Sequence, residues 1–170
     1  MQSERAPPIS RMQEITPFLW FDTQAEEAAN FYVSVFGDGS KVTSIARWPK
    51  DSPGREGGVM MVSFELRGKK FVALNDGPQF TFNQAISFVV NCDSQKEIDY
   101  FWGKLASGGG EEVECGWVKD KYGLPWQIVP AIFWKWAEKS DDPAFHRVLH
   151  AVWKMKKLDL AELQRAYDGK

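Results

Sequence analysis

The sequence predicts an α+β fold made of two βαβββ modules followed by a C-terminal helical extension. Three observations predict it: an order of elements that occurs twice, helix capping boxes at Thr23 and Ser94 offset by about 71 residues, and an apolar stripe with helical spacing after each box. A repeat of that length is too long for a solenoid and too short for two separate large domains, so the copies read as a packed pair. The chain has 170 residues, 44% of them hydrophobic, 26% charged and 14% aromatic, which suits one structural domain with a core of its own. A chain of this size buries roughly 70% of its unfolded surface and needs no disulfide or metal to stay folded.

Residues 1–14 are polar, contain proline and read as an extended or disordered start. The first module spans 15–75. Ile15 to Phe21 is a β-branched and aromatic run that reads as a strand, and Thr23-Gln24-Ala25-Glu26 is a capping box. Ala28, Phe31, Tyr32, Val35 and Phe36 then form one helical stripe, with Gly37 placed to end it. Strands are expected over Lys41 to Trp48, Val59 to Leu66 and Lys70 to Asn75. A Pro/Gly-rich loop separates the first two, and a tight turn at Arg67-Gly68-Lys69 separates the last two.

Residues 76–84 link this to a second module over 85–130. Ala85 to Asn91 reads as a strand and Ser94-Gln95-Lys96-Glu97 as the second box. Ile98, Phe101, Trp102, Leu105 and Ala106 form the stripe, and Gly108 to Gly110 terminate it. Strands are expected at Glu111 to Cys115, Gly116 to Lys119 and Pro125 to Val129. Beyond Pro130 the pattern is helical. Asp142 caps a helix with Pro143 in its first turn and a face of Phe145, Val148, Leu149, Val152 and Trp153. Asp159 caps a last helix with Leu160, Leu163 and Tyr167 on one side and Gly169 at its end. So amphipathic a tail must dock on its own sheets or on a second subunit.

With 21 basic and 23 acidic residues the net charge is −2, and no basic cluster exceeds the short Lys154 to Lys157 stretch, so nucleic acid is not an expected partner. The longest apolar run, Ile128 to Trp134, is interrupted by proline, which argues against a membrane span. Cys92 and Cys115 match no ligand spacing and no secretory signal is visible at the start, so the reading is two reduced thiols in a cytoplasmic protein.

The segments ITPFLWFDTQAEEAANFYVSVFG, FVALNDGP, CGWVKDKYGLPWQIVP and MKKLDLAELQRAY resemble PhnB-like proteins of the vicinal oxygen chelate superfamily, a resemblance that runs over nearly the whole chain from Ile15. That superfamily also holds glyoxalase I, bleomycin-resistance proteins and extradiol dioxygenases, and many PhnB-like relatives carry the label of 3-demethylubiquinone-9 3-methyltransferase. The resemblance implies paired βαβββ modules and a homodimer. In metal-dependent members each module supplies two ligands, which the resemblance carries onto Thr16, Asn75, Ala85 and Gln127. None of these is His, Cys, Asp or Glu, so neither a catalytic metal nor another cofactor is expected.

Other candidate chemistry is weak by its spacing. His146 and His150 are four apart but have no third ligand at a motif distance, and read as surface or interface residues. Glu111, Glu112 and Glu114, like Asp141 and Asp142, read as a solvated rim. Cys115 has no identifiable base and reads as a small buried hydrophobe. Methyl transfer on a Rossmann-type domain would call for a glycine-rich turn between strand and helix, whereas Gly37 to Gly39 and Gly108 to Gly110 both follow helices. A pocket remains. Trp117, Asp120, Tyr122 and Trp126 cluster around the Gly123 turn, with Asn75 and Gln127 as polar groups, and the aromatics either line a small-molecule site or belong to the core.

The first expectation is therefore a metal-free protein that binds a small hydrophobic or aromatic molecule, with Asn75 and Gln127 hydrogen-bonding the ligand and Trp117, Tyr122 and Trp126 stacking on it. The alternatives are an enzyme, either metal-independent with Tyr122 or Asp120 moving a proton or a methyltransferase of the labelled type, and a dimeric interaction module with a closed pocket.

Overall fold

The computed structural model describes residues 15–53 and 55–170; the extended N-terminal stretch expected over 1–14 lies outside the described residues. The chain divides into two compact units after Gly77.

The first unit runs β1 (Phe18–Phe21), α1 (Ala25–Phe36), β2 (Lys41–Arg47), β3 (Val59–Leu66) and β4 (Lys69–Asn75). Its sheet has the order β1-β4-β3-β2, with β1 parallel to β4 and the rest antiparallel. The turn between β3 and β4 is the two-residue loop Arg67-Gly68, both at positive φ (46° and 82°), the geometry that matches the twist of a hairpin. Alternation along the strands sorts the sheet into two faces. Leu19, Phe21, Val62, Phe64, Phe71 and Ala73 are buried, as are Ala28, Tyr32, Val35 and Phe36 of α1, which packs on β3 and β4. Burying each large side chain of this set contributes roughly 1.5–3 kcal/mol.

The Thr23 capping box is not how α1 begins. Its N-cap is Gln24, without a side-chain cap bond, and the free Ala25 N–H donates to Asn75 Oδ1 at 2.7 Å instead. The partner comes from the far end of the module because β1 and β4 are neighbours in register, Phe21 opposite Asn75.

The second unit repeats the order with β5 (Phe88–Cys92), α2 (Gln95–Ala106), β6 (Glu111–Glu112), β7 (Trp117–Lys119) and β8 (Pro125–Pro130), in a sheet of order β5-β8-β7-β6. Here Ser94 does cap the helix: its Oγ accepts from the Glu97 N–H, while Glu97 Oε2 reaches back one residue past the cap and accepts from the Asp93 N–H. β5 starts three residues later than the expected strand, leaving Ala85 and Ile86 exposed. β6 is only two residues long, because the chain turns at Glu114 to Gly116 with Cys115 at φ 61° and Gly116 at 82°. Both modules are thus βαβββ units, the α+β architecture expected.

Three helices complete the unit: α3 (Ile132–Ala137), α4 (Pro143–Val152) and α5 (Leu160–Asp168), with Asp142 and Asp159 capping the last two. Their amphipathic faces are covered within the chain. Trp136, Phe145, Val148, Val152, Met155, Leu158 and Leu163 form a core of their own, so the tail by itself does not require a second subunit. Trp153 is the exception, at 60% exposure with its ring against His150. No helix among the described residues is long and apolar enough to cross a membrane.

Candidate functional site

The face of each sheet away from its helix is apolar and only partly covered. In the second unit, register places Val89, Gln127 and Trp117 side by side across β5, β8 and β7. Val89 is 39% exposed and Trp117 and Gln127 are half-buried; Gln127 Nε2 donates to Ser87 Oγ at 2.8 Å, which fixes the side chain and directs its carbonyl oxygen. In the first unit the corresponding face holds Phe18, Trp20, Met61, Val72 and Leu74, with Phe18 56% exposed and Trp20 Nε1 donating to the Gly77 carbonyl.

The six residues singled out in the sequence fall in different places. Trp117 and Gln127 are direct cross-strand partners on the open face. Trp126 belongs to the opposite face, because successive strand residues point to opposite sides. It pairs with Val118 and Phe88, is 2% exposed, and its Nε1 donates to Asp120 Oδ2 at 2.8 Å. Asp120 is equally buried, and its other oxygen accepts from the Tyr122 and Leu124 N–H groups, so this carboxylate organises the β7–β8 turn. Tyr122 lies half-buried on that turn, with the Lys121 ammonium 5.0 Å from its ring centroid. Asn75 stands on the α1 side of its sheet. Its oxygen caps α1 and its Nδ2 donates to the Val59 carbonyl at 3.1 Å.

Each unit also has a cleft among its described residues, apart from the open faces. One, of about 520 Å³, lies in the first unit among Asp22, Glu26, Trp48, Arg55, Asn75 and Asp76; Arg55 pairs with Asp76 and sits 5.0 Å over the Trp48 ring. The other, of about 580 Å³ in the second unit, lies among Cys92, Gln95, Ile132, Leu160 and Gln164. The sequence pattern did not single out either cleft, nor Phe18, Trp20, Leu74 and Val89. The alternation of Phe18 with Trp20 and of Val72 with Leu74 was the signal that could have found the open face.

A metal of the kind used in the superfamily does not fit these residues. Both polar atoms of Asn75 are engaged, Gln127 offers one neutral oxygen, and among the described residues no group of three His, Cys, Asp or Glu could hold an ion. His146 Nε2 meets the Ser140 carbonyl while His150 packs on Trp153, so the two rings have separate partners.

The family model for 3-demethylubiquinone-9 3-methyltransferase matches residues 13–129. The chain belongs to this family of PhnB-like proteins, within the vicinal oxygen chelate superfamily. The Bacillus cereus PhnB protein, whose provisional description is 3-demethylubiquinone-9 3-methyltransferase, is 40% identical, with 70% of this chain and 100% of that one covered at a TM-score of 0.63. Protein PA1353 of Pseudomonas aeruginosa shares the fold at 22% identity, with 68% of this chain and 96% of that one covered and a TM-score of 0.54. No curated protein matches. The family model ends before the tail, so the resemblance expected of the segment Met155 to Tyr167 is not part of the match.

Proposed function

We propose that this PhnB-like protein binds a small hydrophobic or aromatic molecule on the open face of its second sheet, without a catalytic metal. The observation that carries this reading is the pairing of Trp117 with Gln127 on a face left partly open, an aromatic surface beside an amide held by Ser87. Apolar walls with a few oriented polar groups are what small-ligand sites consist of. Trp117 stacks on the ligand, and the Gln127 carbonyl accepts from its donor. Tyr122 closes the rim at the turn, Asp120 and Trp126 hold that turn from beneath, and Asn75 contributes to the separate cleft of the first unit. Methyl transfer, the reaction in the family's label, finds no support in the glycine clusters, since Gly37 and Gly108 both follow helices. Cys92 and Cys115 as reduced thiols suit a reducing, cytoplasmic setting.

A thermal-shift screen with planar aromatic and quinone-like compounds tests the reading. A ligand should raise the melting temperature of the wild type, and Trp117→Ala and Gln127→Leu should each weaken it by about tenfold, the loss of one stacking or hydrogen-bonding contact. Elemental analysis of untagged protein should show less than stoichiometric zinc, nickel, iron and manganese. Binding unaffected by both substitutions, or one equivalent of metal lost with Gln127→Ala, would refute the proposal.

A further inference from the structure

We infer that the α4–α5 connection of the C-terminal tail acts as a clasp that positions Trp117, so that docking of the tail and occupancy of the open face are coupled. This rests on the Trp117 face being the ligand face and adds its control.

Of the two residues just before Trp117, Cys115 is held in a left-handed conformation that an L-residue rarely adopts, and Gly116 takes the same region freely. Cys115 has φ 61° and Gly116 has φ 82°. The tail supplies that constraint. The consecutive N–H groups of Cys115 and Gly116 donate to the carbonyls of Met155 and Lys156, each at 2.7 Å. Leu158 closes the contact sterically, since a Cβ at Gly116 would stand 3.1 Å from its Cγ and Cδ1. From the other side the Gly116 carbonyl accepts from the Ile128 N–H at 2.8 Å, which locks the turn to β8 one residue before Trp117 meets Gln127.

The tail is anchored independently of this turn. Gln95 Nε2 donates to the Leu158 carbonyl and Gln95 Oε1 accepts from the Leu160 N–H, while Lys157 pairs with Asp99. The segment 131–170 also has its own core, and it lies beyond the family model, which ends at residue 129. An added element thus grips the residues that start β7. If the tail lifts, the Cys115 and Gly116 N–H groups lose their acceptors, Cys115 loses what holds it at positive φ, and Trp117 is left with its bonds to the turn and to β8 alone, so its side chain is free to move on the open face. Coupling is reciprocal: a ligand that needs Trp117 in place favours the docked tail.

The test uses full-length protein labelled with 5-fluorotryptophan, with the Trp117 and Trp126 fluorine resonances assigned as those missing from Trp117→Phe and Trp126→Phe. Gln95→Ala removes two anchors without touching the turn, and Leu158→Ala removes the steric contact. In both, the Trp117 resonance should shift or broaden while that of Trp126 stays in place, and hydrogen exchange at Cys115 and Gly116 should quicken at least tenfold. Leu158→Met should restore the wild-type spectrum. Should Leu158→Ala fail to fold, Gln95→Ala decides alone. A Trp117 resonance unmoved in the variants, or one that moves together with Trp126, would overturn the clasp. The readout needs no ligand, so a failed ligand screen counts against the binding reading and an unmoved Trp117 counts against this one.

Discussion

Trp117 and Trp126 are chemically the same residue on adjacent strands, yet the pleat gives them different work. Trp126 is 2% exposed, shares a face with Val118 and bonds the Asp120 carboxylate through its indole N–H. Replacing it by Ala opens a cavity and takes one hydrogen bond from the buried carboxylate, so Trp126→Ala should cost about 3–5 kcal/mol in denaturant titration. Trp117 is half-buried with an open side, and Trp117→Ala should cost under about 2 kcal/mol in the same measurement. Equal losses for the two would place Trp117 in the core and remove the stacking wall from the proposed site. Asn75 shows the same dependence on context. Its side chain reads from sequence as a ligand contact, and in the fold it gives its oxygen to the first N–H of α1 and its nitrogen to Val59.

Among the elements, α2 and the tail are joined by contacts whose strength follows pH. The Lys157 ammonium, and after it the Gln95 amide, hold the Asp99 carboxyl below its ordinary value, with Lys157 Nζ 2.5 Å away. A depressed acid stabilises the folded arrangement above its unfolded pKa, and that contribution is lost as the pH falls through the lowered value. Tail docking should therefore be insensitive to pH near neutrality and loosen in acid. Asp99→Asn should show at neutral pH the loosening that the wild type shows only in acid, and should flatten the acid response; both effects are small, because an exposed pair contributes little. Hydrogen exchange of 143–168 across an acid series measures both. An acid response in Asp99→Asn as steep as that of the wild type would assign the effect to other carboxylates.

For the molecule as a whole, the tail's apolar face is covered by the chain's own core, so the argument for a dimer moves to the sheets. Phe18 and Val89 lie exposed on the open faces of their units, where a second copy could cover apolar surface that solvent otherwise meets. Together with the resemblance to PhnB-like proteins, this leads us to expect a homodimer. Light scattering after gel filtration should give about twice 19.4 kDa, and a monomer at micromolar concentration would show that the faces are satisfied without a partner copy.

What the sequence determined by itself was the modular plan: two βαβββ units, the Ser94, Asp142 and Asp159 caps, and the tight turn at Arg67-Gly68. Such features are legible because each rests on residues within a few positions of one another, a cap reaching three residues ahead or a stripe recurring every turn. The tertiary structure alone decided that Asn75 rather than Thr23 serves the start of α1, that the Trp126 face of the sheet is buried and the Gln127 face left open, and that residues 155 and 156 hold the turn at Cys115. Each of those bonds joins groups some 40 to 50 positions apart or depends on which side of a sheet a helix covers. No local pattern encodes such a choice, because the competing partner is brought into reach only when the sheet closes and its registers are set.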